Sequence, residues 1–132
     1  MSRVYKFHSS EVLPVVTARI FSNKKSKLVR LVFDTGAATT QIHTPIIDAL
    51  GYSAAEGIGR IASYGPAGPI QEGYSLRVQK LRVFGKEFAE PVLSVYDFDN
   101  FANSGLHGLL GFDLIRQMDL ALKGSKGELI VF

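Results

Sequence analysis

Short apolar runs of period two, cut at close intervals by turn-forming residues, restrict this chain more than any other feature, because such runs cannot be packed as amphipathic helices. Residues 12–21 (VLPVVTARIF) read as a strand, and residues 28–33 (LVRLVF) as its antiparallel partner across a tip at 22–27, with Asn23 available for the turn. Further strands are expected over 39–43, 57–63, 70–84, 87–96 and 128–132, with Gly85-Lys86 turning one hairpin and residues 124–127 another. Pro14 has no N–H to give to a ladder, so it belongs at a sheet edge or a strand start. Two stretches read as short helices. The first runs from Thr44 as N-cap, through Pro45 at the first helical position, to Gly51 past its end. The second spans 112–118, with Asp113 as its N-cap. This order of elements describes a mainly β, barrel-like domain and lacks the βαβ alternation of a parallel sheet.

With 132 residues the chain is expected to form one domain, 1–132, without repeat or linker. Hydrophobic residues make up 46% and charged residues 20%, a balance that supports a packed core and excludes disorder or a coiled coil. No apolar run is long enough to span a bilayer, and the first residues lack the apolar segment of a signal peptide, so the expectation is a cytoplasmic protein with no membrane partner. A net charge of +3 is thin for a nucleic-acid binder, and none is expected as partner. The densest basic cluster, Lys24, Lys25 and Lys27, reads as a solvated hairpin tip, with an anion-binding barrel as a remote alternative.

Most catalytic chemistries find no support. There is no cysteine, which excludes disulfides, thiolate catalysis and cysteine-held metals. His8, His43 and His107 are far apart in sequence with no i,i+4 partner, so no metal site or cofactor is expected. Neither G-x-S-x-G nor a Walker-type loop occurs.

One constellation remains, Leu31-Val32-Phe33-Asp34-Thr35-Gly36-Ala37. An apolar strand ends on a carboxylate, and the residues after it suit a tight turn that aims backbone N–H groups back at that carboxylate. A plain turn capped by Asp34 is the alternative that these residues alone leave open. Much later, Gly108-Leu109-Leu110-Gly111 precedes the second helix. In that order the parts make the chain resemble the retropepsin-like aspartic proteases, single-domain relatives of the retroviral proteases: an apolar strand, Asp-Thr-Gly-Ala, a flap hairpin, then two apolar residues and a glycine before a helix. The resemblance runs from about Val12 to Phe132.

The resemblance implies a closed β-barrel-like retropepsin fold that forms a homodimer, with two Asp-Thr-Gly loops meeting at the twofold axis. It makes Asp34 the catalytic residue and Thr35, Gly36 and Ala37 its active-site loop. Leu109, Leu110 and Gly111 become structural support behind that loop. The flap over a peptide or protein substrate would be Tyr64, Gly65, Pro66, Ala67 and Gly68. The implied activity is aspartic endopeptidase, hydrolysing peptide bonds with a water held between Asp34 of two subunits. Ala38 stands where relatives often carry a polar residue, and the flap has prolines where retroviral flaps are glycine-rich. Both departures count toward the alternative, a non-catalytic peptide-binding or dimerisation module of the same fold, while the complete Asp-Thr-Gly-Ala counts against it. The terminal segments, 4–7 and 129–132, are further candidates for the dimer interface, although the last strand can equally pair within its own chain.

Overall fold

The computed structural model describes residues 2–7, 12–65, 68–98 and 104–132. Twelve strands and two short helices are found there: β1 (Arg3–Lys6), β2 (Val15–Phe21), β3 (Ser26–Phe33), β4 (Gln41–His43), α1 (Thr44–Ala49), β5 (Gly59–Gly65), β6 (Gly68–Arg77), β7 (Lys80–Val83), β8 (Lys86–Ala89), β9 (Val92–Tyr96), β10 (Gly108–Leu110), α2 (Phe112–Ile115), β11 (Leu120–Lys123) and β12 (Glu128–Val131). The mainly β expectation holds, but the closed barrel does not. Nine strands form one sheet in the order β5-β6-β9-β4-β10-β3-β2-β7-β8, whose outer members do not pair with each other. A separate sheet has the order β1-β12-β11. Both sheets and the helices contribute to one core, in which Ile20, Leu31, Ile42, Leu81, Leu93, Leu110 and Leu129 are almost fully buried.

Two expected strands are each broken in two, and the breaks coincide. Arg77 pairs with Val92 on one side of the corner and Lys80 with Ala89 on the other. Between them Glu90 adopts a left-handed φ of 49°, and Pro91 cannot donate to a ladder. Val78 N–H donates to Pro91 O at 3.2 Å and Glu90 N–H to Gln79 O at 3.0 Å, so both chains turn together. The hairpin bends there, and its far half joins β2 instead of β4. Its own turn is Phe84-Gly85, one residue earlier than expected, with both residues at positive φ. A left-handed phenylalanine is costly, and Phe84 is held by packing on Tyr5 (ring centroids 5.1 Å) and Phe33 (6.5 Å).

Pro14 sits at the start of β2, where its carbonyl accepts Phe33 N–H at 2.8 Å. Helix α1 begins one residue earlier than expected, with His43 as N-cap in place of Thr44, while Gly51 has the left-handed φ that ends a helix. The last strand is not an open edge. β12 pairs with β1 on one side and β11 on the other, so its backbone is satisfied within the chain. Among the described residues no helix is long and apolar enough to cross a membrane.

Candidate active site

Strand order builds the site. β3 and β4 flank β10 in the sheet, so the chain between them, residues 34–40, must arch over the end of β10. β10 runs parallel to β3, with Leu109 beside Val32 and Leu110 beside Phe33. Asp34 therefore emerges at the end of a buried strand, its N–H donating to Leu110 O at 3.0 Å. The Asp34 side chain is half-buried, and its Oδ1 accepts Gly36 N–H at 2.9 Å. Ala37 N–H donates to the Asp34 carbonyl at 3.2 Å, which closes the turn. A Cβ on Gly36 would lie 3.3 Å from Asp34 Oδ1, so glycine keeps the carboxylate clear. Thr35, Gly36 and Ala38 are exposed and Ala37 is buried.

The arch rests directly on Gly111. A Cβ there would meet the carbonyl carbon and oxygen of Thr39 at 2.4 Å and Thr40 N at 2.7 Å, a distance no side chain tolerates. Phe112 N–H donates to Ala37 O at 2.7 Å. Leu109, Leu110 and Gly111 thus lie behind and beneath the loop that carries Asp34.

The far end of the arch is held by groups that the sequence pattern does not single out for this task. Thr40 is fully buried. Its Oγ1 donates to Asp113 Oδ1 at 2.8 Å and accepts Gly111 N–H at 3.0 Å, while its N–H donates to Asp113 Oδ2 at 3.0 Å. Asp113 also accepts Leu114 N–H at 2.9 Å. Gly111, and not Asp113, is the N-cap of α2, because the Asp113 carboxylate is turned toward the loop. Ser94 on β9 completes the clamp, its Oγ donating to Thr39 Oγ1 at 2.9 Å and its N–H to Thr40 O at 2.9 Å. The only hint in the sequence is a carboxylate two residues after the glycine, which also fits helix capping.

The hairpin expected as flap exists as β5 and β6. Gly59 pairs with Ser75, and the ladder continues to Tyr64 with Pro69 and Gly65 with Gly68, its register shifting after Ser63. Only Tyr74–Arg77 of this hairpin pair with β9, so the remainder projects as a two-stranded ribbon. Gln71 Nε2 donates to Asp97 O at its base. Pro66 and Ala67 lie outside the described residues, as does His8.

His43 and His107 serve the backbone. His107 Nδ1 accepts Arg30 N–H at 2.9 Å, and His43 Nδ1 accepts Phe98 N–H at 2.8 Å. Burial, and then the positive charges of Arg30 and Lys27, lower the pKa of His107. Among the described residues no group of three or more His, Asp or Glu side chains is placed to hold a metal ion.

Solved structures share this fold. A retropepsin-like aspartic protease from Rickettsia conorii aligns with a TM-score of 0.70 at 18% identity, covering 98% of each chain. EIAV protease complexed with the inhibitor HBY-793 aligns with a TM-score of 0.59 at 22% identity, over 83% of this chain and 91% of that one. The retroviral protease-like domain of Ddi1 from Leishmania major gives 0.58 at 18% identity, over 86% and 85%. No curated protein sequence matches the chain. Residues 16–114 match the family model described as aspartyl protease, a span that takes in both the Asp34 arch and the Gly111 element beneath it. By that match this chain belongs to the aspartyl protease family, and it shares the fold of the retropepsin-like proteases.

Proposed function

We propose that the protein is an aspartic endopeptidase whose dyad is formed by Asp34 of two copies. The observation that carries the reading is the placement of Asp34: half-buried at the end of β3, on an arch clamped at Gly111 and Thr40, with Gly36 N–H on one carboxylate oxygen. Among the described residues nothing donates to the other oxygen, which leaves it for water or a second carboxylate. Two carboxylates a few ångströms apart cannot both ionise freely, so the pair shares one proton. The ionised member takes a proton from the attacking water. The protonated member hydrogen-bonds the scissile carbonyl, and the leaving amine later takes a proton.

No other described aspartate occupies a matching loop, so a second copy must supply the partner. An apolar cavity of about 490 Å³ beside exposed Thr35 supports this, with Phe112 45% and Leu122 56% exposed at its wall. Symmetry makes such a face self-complementary. Substrate would lie extended under the β5–β6 ribbon, with Tyr64, Gly65 and Gly68 among its flap residues, and pair through its backbone.

The test is cleavage of a mixed peptide library by wild type and Asp34→Asn. Asparagine keeps an oxygen for Gly36 N–H, so the variant should fold and dimerise yet lose turnover. Excess variant mixed with wild type should depress activity through heterodimers with one functional carboxylate. Wild-type turnover by Asp34→Asn refutes the assignment. Peptide binding without cleavage by the wild type means the non-catalytic module instead.

A further inference from the structure

A row of basic side chains crosses β2 and β7. Alternation turns Val16, Ala18 and Ile20 into the core and leaves Thr17 and Arg19 on the opposite face. The register then sets Arg19 between Leu28 on β3 and Arg82 on β7. Like charges directly opposite on neighbouring strands repel and lower stability, so this row is electrostatically incomplete. Arg19 Nη1 has a neutral partner, Ser26 Oγ at 3.0 Å. Glu87 accepts from Arg82 Nε at 3.1 Å and Nη2 at 2.7 Å, and it also lies 3.5 Å from Lys80 Nζ. That one exposed carboxylate serves two cations, and the hydrogen bond from Arg82, then the charge of Lys80, hold its pKa below the ordinary value.

Beside this row, between β1 and β2, opens a groove of about 350 Å³. Tyr5, Phe7, Val15 and Leu28 give it apolar walls, and Arg19 and Arg82 line it. Lys6 stands at the rim, opposite Glu128 in register. β1 pairs only with β12, so its second edge carries backbone groups unpaired with any described strand.

We propose that this groove binds an acidic segment of a polypeptide in extended form, its carboxylates on Arg19 and Arg82 and its apolar side chains against Tyr5, Phe7 and Leu28. Guanidinium forks suit carboxylates, and a free strand edge suits an extended main chain. A bilayer surface is flat and would not enter the concavity. A phosphodiester backbone would reach the arginines but leave the apolar walls uncovered. The binding does not depend on cleavage by Asp34.

Fluorescence anisotropy on the Asp34→Asn protein tests it, with labelled octapeptides of alternating Glu and Val or alternating Lys and Val. The Glu-Val peptide should bind, the Lys-Val peptide should not, and affinity should fall several-fold between about 50 and 200 mM NaCl. Arg19→Gln combined with Arg82→Gln should weaken binding at least about tenfold. If circular dichroism shows the double variant unfolded, Arg19→Gln alone should still weaken it several-fold, since its neutral partner makes Arg19 the less structural of the two. No binding at low salt, binding indifferent to these substitutions, or tighter binding of oligo-dT or phosphatidylserine vesicles on the same residues would each overturn the proposal.

Discussion

Replacing Thr40 by valine removes one oxygen from the clamp under the Asp34 arch and leaves the volume almost unchanged, so no cavity term enters. Two effects then add. The hydroxyl's bond to the Asp113 carboxylate at 2.8 Å is lost; bonds to charged groups contribute about 1.5–3 kcal/mol, and the lower end applies because Asp113 is half-buried. Gly111 N–H, which donates to Thr40 Oγ1 at 3.0 Å, is left buried without a partner, at about 1–3 kcal/mol. Together they destabilise by about 3 kcal/mol, a large share of the roughly 5–15 kcal/mol that holds a domain folded. In urea, with a slope near 2 kcal/mol per molar, the midpoint should fall by about 1.5 M. Asp113→Asn keeps one acceptor oxygen for the hydroxyl but sets an NH2 group against Thr40 N–H, so it too should destabilise. The double variant should fall short of the summed effects, because the two residues share one bond. A loss below about 1 kcal/mol for Thr40→Val, or full additivity, would refute the claim that this clamp holds the loop.

Gly111→Ala should be worse than Thr40→Val, because its Cβ meets backbone at 2.4 Å and only the arch itself can move; expression and thermal unfolding read this, and a wild-type melting temperature would contradict it. For His107, burial and neighbouring cations lower the pKa below 6.5, so the unfolded chain binds the proton more readily. Its contribution to stability is therefore complete above pH 6.5 and lost as pH falls through the lowered value; His107→Asn, which still offers an acceptor to Arg30 N–H, should flatten that acid loss, and an unchanged melting profile between pH 7 and 5 would argue against it. The proposed dyad requires a bell-shaped rate against pH, and a statine-type peptide carrying a tetrahedral hydroxyl should inhibit. Sensitivity to chelators together with indifference to that peptide would point to a metal enzyme.

Local chemistry makes much of this protein legible in its sequence. Period two in VVTARIF and LVRLVF suffices for the first hairpin, because a one-residue slip would expose every core side chain. Pro45 and Gly51 mark the ends of α1, and Asp34-Thr35-Gly36 marks a turn at a strand end, since each depends on a few adjacent residues. What tertiary structure decides is everything set by separate segments meeting. Residues 70–84 read as a continuous strand because nothing within them demands a corner, and Pro91 alone does not end the run 87–96; the bend exists because Glu90 and Pro91 lie across from Val78 and Gln79. Whether the sheet closes depends on its outer strands finding each other, and β5 and β8 do not. Asp113 reads as a helix cap because capping is the local use of such a residue. Its carboxylate instead reaches Thr40, 73 positions away in sequence, because β10 threads beneath the arch and brings the two together.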